Sequence, residues 1–230
     1  MPKISIVIAI LNSHEIVRRQ ILHFQKMHLP DDVEFVFVDD GSEPALFPLD
    51  YSGPELKNLT VHMTRDFRPW TQPLARNVGA RIARGEYLIC TDIDHILSRN
   101  LIERVMVGDY DVYRFKREAG VLDEQGNFTQ DKNELEKYGL RDGSLRLPAH
   151  GNSYAIRRGL FLALGGSQQK DQYPNRDEVP IKRGIKRMEE RGEITRIPDD
   201  DRPTIYMIPN GRFCGDPNFN PFGLFHNLKR

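Results

Sequence analysis

The sequence predicts an α/β fold with a mostly parallel central sheet flanked by helices. Strand and helix patterns alternate along the first half of the chain, and the first strands are nearly continuous apolar runs. Such runs are typical of parallel strands that are covered on both faces. A chain of 230 residues has room for one α/β domain with a buried core, whereas two domains would be crowded. We therefore expect a single domain over residues 1–230.

The first elements form a strand, helix, strand unit. Residues 4–10 are β-branched and apolar, which predicts a buried strand. Residues 15–28 then carry apolar side chains at helical spacing, which predicts a helix with one buried face. A second apolar run over residues 33–38 predicts the next strand. Two parallel strands joined by a helix form a right-handed crossover.

The pattern continues regularly to about residue 115. Pro73 suits the first turn of a second helix, and Gly85 suits its C-terminal end. The remaining predicted elements of this half are strands over residues 59–63, 87–91 and 111–115 and a helix over residues 98–107.

The later part of the chain is less regular. Residues 118–146 are polar and predict an insertion lying over the sheet edge rather than in the core. Beyond it we predict a strand over 152–156, a short helix ending at 164, a helix over 178–191 and a strand over 204–208. We divide the domain into a first half (1–115), an insertion (116–147) and a second half (148–230).

Composition excludes several classes of protein. Lysine plus arginine and aspartate plus glutamate both total 33, which argues against nucleic-acid binding because a phosphate backbone needs a basic stripe. The two cysteines lack ligand-like spacing, which argues against a disulfide framework or a zinc site. Neither a membrane span nor an export signal is visible, so we expect a cytoplasmic protein, with peripheral contact to membrane-bound acceptors left open.

Acidic and small polar residues follow three of the predicted strands: Asn12, Asp39-Asp40-Gly41-Ser42 and Asp92-Ile93-Asp94. Ligands of open α/β sheets bind beyond the carboxyl ends of the strands, so these segments predict a pocket. Asp92 and Asp94 are two residues apart and, in extended geometry, point to one side. Such a pair suits magnesium or manganese. The alternative is an Asp-rich turn that merely ends the strand and caps the next helix.

The order of these motifs resembles a known family. The motifs are Asp-Asp-Gly-Ser at 39–42, Ala75-Arg76-Asn77-x-Gly79, and Gly85-Glu86-Tyr87-Leu88 leading to Asp92-x-Asp94. From residue 4 to about 107 this order resembles the family 2 glycosyltransferases of the GT-A fold. The resemblance implies an inverting enzyme that uses a nucleotide-sugar donor.

The resemblance also implies roles for individual residues on the donor side. The nucleotide base is expected at the loop from Ala9 and Ile10 to Asn12 and at Asp39, with Asp40 included in the donor site. Arg76 is expected near the diphosphate, Asp92 near the ribose with Ile93 beside it, and Asp94 as the ligand of a manganese or magnesium ion.

In the second half, Gly151-Asn152-Ser153-Tyr154-Ala155-Ile156-Arg157-Arg158 and Gly165-Gly166 resemble the segments that line the family's acceptor side. By the same resemblance Glu178, with Asp177 as the second candidate, is the predicted general base. His226 is the predicted second metal ligand, and His95 is its competitor.

The implied reaction moves a sugar from a nucleoside diphosphate, a uridine diphosphate (UDP) sugar ranking first, to a hydroxyl of a carbohydrate or glycoconjugate. Two alternatives stay open. A sugar-phosphate nucleotidyltransferase would need a Gly-rich, basic loop after the first strand, which Leu11-Asn12-Ser13-His14 does not provide. A non-catalytic nucleotide- or sugar-binding module would keep the donor site while Asp177 and Glu178 point away from it.

Overall fold

The structure is a computed structural model that describes residues 1–46, 55–66, 68, 71–140, 145–148, 151–168 and 179–209. Its strands are β1 (Ile4–Ile10), β2 (Val33–Asp39), β3 (Leu59–Met63), β4 (Tyr87–Asp92), β5 (His95–Ile96), β6 (Val112–Arg114), β7 (Lys116–Ala119), β8 (Val121–Leu122), β9 (Phe128–Thr129), β10 (Arg146–Leu147), β11 (Tyr154–Arg157) and β12 (Thr204–Met207). Its helices are α1 (His14–Lys26), α2 (Gln72–Ile82), α3 (Arg99–Val107), α4 (Lys132–Lys137), α5 (Arg158–Ala163) and α6 (Val179–Glu190).

The central sheet has six strands in the order β3-β2-β1-β4-β11-β6. The first four run parallel, and β11 is antiparallel to both of its neighbours. Every residue of β1 and β2 is buried, as their continuous apolar runs predict. The predicted α/β fold with a mostly parallel, helix-flanked sheet is therefore confirmed, and the carboxyl ends of β1, β2 and β4 meet at one edge.

Helices cover the two faces of this sheet. The face formed by Ile6, Ile8 and their neighbours packs against α1 and α3. The opposite face packs against α2, α5 and α6. Helix α2 lies close to the strands because Gly79 has no side chain: a Cβ there would lie 2.4 Å from Cγ1 of Val7. This contact gives the glycine of the Ala75-x-x-x-Gly79 motif a packing role.

The segment predicted as a polar insertion is more ordered than its composition suggests. Strand β7 lies inside a second sheet, in the order β10-β7-β12-β5. Side chains from the segment also form a small buried cluster of their own: Ala119, Val121, Leu135 and Leu140. The expectation that this segment contributes no core is wrong, because these four apolar residues are buried against one another. The division into halves and insertion stays a prediction.

Candidate active site at the carboxyl end of the sheet

The acidic turn at the end of β4, residues 92–95, is the centre of the candidate site. Its last residue, His95, begins β5 and pairs with Met207 of β12. The backbone N–H of Ile208 donates to the carbonyl oxygen of Asp94 at 2.9 Å. The turn therefore joins the central sheet to the second sheet, which holds its backbone at both ends.

A buried glutamine of α1 holds the same backbone from the other side. Nε2 of Gln20 donates to the carbonyl oxygens of Ile93 at 3.1 Å and of His95 at 2.8 Å. The Gln20 side chain is fully buried, and buried carbonyls without a donor are costly. Gln20 therefore acts as a positioning residue for the turn, a role that the sequence did not reveal.

The first carboxylate of the turn is held by α2. Oδ1 of Asp92 accepts a hydrogen bond from Nε2 of Gln72 at 2.8 Å. The same oxygen forms an ion pair with the guanidinium of Arg76. Arg76 is fully buried, so this pair is shielded from solvent and salt. The pair fixes the orientation of Asp92 and brings the predicted diphosphate residue Arg76 beside the acidic turn.

The second carboxylate, Asp94, faces a histidine. Nδ1 of His95 lies 2.9 Å from Oδ1 of Asp94, and both residues are buried. One potential ligand atom from each of Asp92, Asp94 and His95 lies within 4.8 Å of the other two. Two carboxylates and an imidazole suit a manganese or magnesium ion in their donor chemistry. The structure therefore brings the competing candidate His95 next to Asp94.

A buried arginine adds positive charge to the acidic turn. Arg117 of β7 is 5% exposed. Burial lowers the pKa of its guanidinium, and the nearby charges of Asp94 and Asp92 oppose that shift. This interaction could not be predicted from the sequence, because Arg117 lies in a charged segment and approaches the turn only through the second sheet.

The loops after β1 and β2 are tied to each other. Asp39 accepts backbone N–H bonds from Ser42 at 2.9 Å and from Leu46 at 2.7 Å. Asn12 adopts a left-handed backbone conformation with φ of 49°. Its N–H donates to Oγ of Ser42 at 2.9 Å, and its side-chain oxygen accepts from the N–H of Glu43 at 2.7 Å. Asn12 and Asp39 thus hold the loop after β1 and the loop after β2 against each other.

The remaining predicted donor residues surround these two loops. Oδ1 of Asp40 accepts from the hydroxyl of Thr71 at 2.7 Å, which links β2 to the start of α2. In the strand register Ala9 pairs with Asp92, and Ile10 pairs with Asp39. The predicted donor residues are therefore neighbours in space. The predicted base candidates Asp177 and Glu178 and the metal candidate His226 lie outside the described residues.

The asparagine of the Ala75-Arg76-Asn77 motif holds the second half of the chain against α2. Its side chain accepts from the N–H of Ser167 and donates to the carbonyl oxygen of Ser167, both at 2.8 Å. Gly166 allows this approach, since a Cβ there would lie 2.3 Å from Oδ1 of Asn77. The Ala75-Arg76-Asn77-x-Gly79 motif and the Gly165-Gly166 segment thus meet beside the residues predicted to bind the nucleotide-sugar donor.

The structure thus defines an α/β fold with acidic residues at the carboxyl edge of its parallel strands, and comparison with known proteins indicates the family that it resembles. The sequence profile of glycosyl transferase family 2 matches residues 5–114. Over this segment the resemblance stated from the motifs is confirmed. No curated protein matches the sequence.

Solved structures of S. aureus TarS have the same fold. TarS 1-349 superposes with a TM-score of 0.57 at 16% identity, covering 90% of this chain and 60% of TarS 1-349. TarS 1-349 in complex with UDP gives 0.56 at 15% identity, covering 92% and 62%. The complex with UDP-GlcNAc gives 0.54 at 15% identity, covering 90% and 58%. This chain thus spans about 60% of TarS 1-349, and the likeness supports the predicted GT-A fold.

Within the described ranges, no helix is long and apolar enough to cross a membrane.

Proposed function

We propose that this chain transfers a sugar from a UDP-sugar to a hydroxyl of a carbohydrate or glycoconjugate acceptor, with inversion and with the help of manganese or magnesium. The observation that carries the proposal is the cluster of Asp92, Asp94 and His95 at the end of β4, inside the segment that matches the family. The TarS structures with UDP and UDP-GlcNAc support the choice of donor.

The residues that fit the metal are Asp94, with His226 as the proposed second ligand and His95 as its alternative. A bound divalent cation supplies Lewis-acid stabilisation of negative charge on a departing diphosphate. Asp92 is held by Arg76 and Gln72, which fixes the orientation of its carboxylate, and we assign this carboxylate to the ribose of the donor. Donor groups that are aligned before the substrate binds need little reorganisation during the reaction.

The acceptor hydroxyl must lose a proton as it attacks. Glu178, with Asp177 as the second candidate, is the proposed general base. Both residues directly precede α6, which packs on the same face of the sheet as α2. This placement in the chain supports a position on the acceptor side of the pocket.

Asp94→Asn tests the donor site because it removes the charge while keeping the shape of the side chain. We expect UDP to raise the melting temperature of the wild type only when manganese is present, and the variant to lose this shift. Sugar transfer by the variant should fall by at least about a hundredfold, since metal stabilisation is worth several kcal/mol. Differential scanning fluorimetry and release of UDP from UDP-sugars measure the two effects.

Asp31→Asn is the matched control, because Asp31 is an exposed carboxylate that pairs with Lys57 before β2, at the opposite end of the sheet. It should keep both the melting shift and the transfer. A manganese-dependent UDP shift that survives in Asp94→Asn would contradict the metal role. UDP binding by the wild type without transfer to any of a panel of sugar acceptors would favour the non-catalytic module.

A further inference from the structure

A basic cleft lies beside the donor site, between β6 and α6. Its volume is about 530 Å³, which is in the range of small-molecule sites. The residues that line it are Arg114, Lys182, Arg183, Ile185, Lys186, Glu189, Glu190 and Arg196. We call these residues the α6 cleft. They come from β6, from α6 and from the segment after α6.

The charge of the α6 cleft is unbalanced. It has five cationic side chains and two carboxylates, in a chain whose formal net charge is zero. Glu189 pairs with Arg196 at 3.1 Å, and Glu190 lies 3.6 Å from Lys186. Arg114, Lys182 and Arg183 have no carboxylate within ion-pair distance among the residues that the structure covers. Three cationic side chains of the cleft are therefore not paired with a carboxylate in the described part of the chain, although Glu189 and Asp199 lie near Arg114.

Arg114 is the most constrained of these cations. It is half-buried at the end of β6, and burial lowers the pKa of its guanidinium. The nearby cations Arg196 and Arg202 lower the pKa further, and the carboxylates of Glu189 and Asp199 oppose this shift only in part. A partly desolvated arginine among like charges is unfavourable by itself, and an anion in the cleft would compensate it. Together with the concave shape of the cleft, this cost favours a ligand-binding surface over a solvated charged face.

The sheet register places the cleft next to the donor site. Arg114 pairs with Tyr154 of β11, which in turn pairs with Cys90 of β4. Two strand spacings separate Arg114 from Cys90, or about 10 Å. Asp92 follows Cys90 by two residues, so it points to the same face as Cys90. Cys90, Val112 and the α6 residue Ile185 share one buried cluster, so the α6 cleft and Asp92 lie on the same face.

The cleft also reaches the segment that resembles the family's acceptor side. A Cβ added to Gly151 would lie 2.1 Å from Nζ of Lys182. The ammonium group therefore lies against the backbone of Gly151. A small recess next to it is lined by Gly151, Ser153, Tyr154 and Lys182. The recess connects the α6 cleft to the start of β11.

We propose that the α6 cleft binds a phosphate group carried by the sugar acceptor and so selects phosphate-bearing acceptors. This inference rests on the proposed function, because it assumes that a sugar acceptor lies beside the donor site. Arginine and lysine are the common ligands of phosphate, and the planar guanidinium matches two phosphate oxygens at once. A neutral sugar would leave these three cations without an ion-pair partner among the described residues.

The shape of the cleft favours a phosphate group on a small molecule over a membrane surface. Arg114 is half-buried and lines a concave site, to which a small molecule has better access than a flat bilayer surface. Lys186 and Arg187 are exposed on α6, and they would be the residues to contact anionic lipid. Variants of Arg114 and of Arg187 therefore distinguish binding of a small phosphate-bearing molecule from binding to an anionic membrane surface.

The test uses the full chain with UDP and manganese present, so that the donor site is filled. Glucose 6-phosphate, glucuronate and glucose serve as probes in isothermal titration calorimetry. We expect glucose 6-phosphate to bind, glucuronate to bind more weakly and glucose not to bind. Lys182→Gln and Arg114→Gln should each weaken glucose 6-phosphate binding roughly tenfold, the scale of one charge-assisted hydrogen bond. Lys182 is only partly buried, so its variant guards against a folding defect at Arg114.

Arg18→Gln is the matched control, since Arg18 lies on α1 and pairs with Glu15 on the other face of the sheet. It should leave glucose 6-phosphate binding unchanged. Equal binding of glucose and glucose 6-phosphate, or wild-type affinity in both cleft variants, would overturn the proposal. So would binding to phosphatidylglycerol vesicles that Arg187→Gln abolishes and Arg114→Gln leaves intact.

Failure of the cleft and failure of the proposed function give different results. If UDP does not bind in the presence of manganese but the cleft variants still weaken glucose 6-phosphate binding, the donor proposal falls and the cleft remains. If UDP binds and glucose 6-phosphate does not, the cleft proposal falls and the donor site remains.

Discussion

Asp92 of the acidic turn and the α6 cleft lie on the same face of the central sheet, yet the two regions are built in opposite ways. The turn is held from three sides by Gln20, Arg76 and the N–H of Ile208. In the cleft, Arg114 and two α6 cations have no carboxylate at ion-pair distance within the described part of the chain. The polar groups of the turn are therefore held by the protein itself, whereas three cations of the cleft remain available for the phosphate group proposed above.

This difference suggests that the two sites recognise their proposed ligands in different ways. Polar groups that are fixed before binding favour one ligand geometry and require little reorganisation. An open cleft with uncompensated charge selects by charge and tolerates variation in the rest of the ligand. We expect donor recognition to be sensitive to distant supporting residues and acceptor recognition to be sensitive mainly to local charge.

The largest effect of a supporting residue is expected for Gln20→Met. The change removes the donor to the carbonyls of Ile93 and His95, and each buried carbonyl left without a partner costs about 1–3 kcal/mol. It also removes the buried Oε1 of Gln20, which has no hydrogen-bond partner in the described structure, and this offsets part of the loss. The free energy of unfolding should fall by about 2–3 kcal/mol in urea titrations.

Gln20→Met should also weaken UDP binding in the presence of manganese, because the turn loses its support from α1. Gln25→Met is the matched control on the same helix, at a more exposed position. It should leave both stability and UDP affinity close to the wild type. Wild-type UDP affinity in Gln20→Met would show that the turn keeps its geometry without α1, and the comparison between turn and cleft would lose its basis.

A smaller change in stability is expected from adding a methyl group to α2 or to α5, which pack on the same face of the sheet. Gly79→Ala puts a Cβ 2.4 Å from Cγ1 of Val7, a fully buried strand residue. Such overpacking typically costs about 1–3 kcal/mol. Gly159→Ala on α5 has no heavy atom within 4 Å of the new Cβ and should stabilise the protein by up to about 1 kcal/mol.

Thermal unfolding of the two glycine variants measures the difference. Opposite signs would confirm that the donor half is tightly packed where α2 crosses the sheet and that α5 is not. A stability of Gly79→Ala equal to the wild type would mean that α2 can shift away from β1 without cost. In that case Arg76, on the same helix, would lose its fixed position.

Much of the fold followed from the sequence for a physical reason. Strands β1, β2 and β4 are buried on both faces, and this burial leaves continuous apolar runs that are easy to recognise. The second sheet left no such trace, because β5 has two residues and β7 lies among charged ones. Short edge elements owe their order to partners far along the chain, which local patterns do not encode.

The candidate site was predictable to a similar extent. Asp39, Asp92 and Asp94 could be located because the carboxyl ends of parallel strands converge. Gln20 could not, since the carbonyls it binds lie 73 and 75 residues away. Arg117 was missed for the same reason: its charge reaches Asp94 only after β7 pairs with β12.

The smallest expected effect concerns His23, which joins α1 to the segment after β5 and to the insertion. Its Nε2 lies 2.9 Å from the carbonyl oxygen of Leu97, and its Nδ1 lies 3.3 Å from that of Gly126 in the insertion. Burial lowers the pKa of His23, and the hydrogen bonds to these carbonyls oppose the shift only in part. The folded state therefore takes up a proton less readily than the unfolded chain.

The sign of the resulting pH dependence follows from this difference in proton uptake. Above about pH 6.5, the usual pKa of histidine, His23 is neutral in both states and the stability of the neutral ring is fully present. As the pH falls below that value and through the lowered folded-state pKa, the unfolded chain binds the proton first and stability is lost. Between pH 7.5 and 5.5, the urea midpoint of His23→Gln should therefore fall less than that of the wild type. His62→Gln, at an exposed position on β3, should fall as much as the wild type. An equal fall in the urea midpoint for all three proteins would mean that protonation of His23 costs the folded state nothing. The contacts of His23 between α1 and the insertion would then be weaker than those that hold the acidic turn.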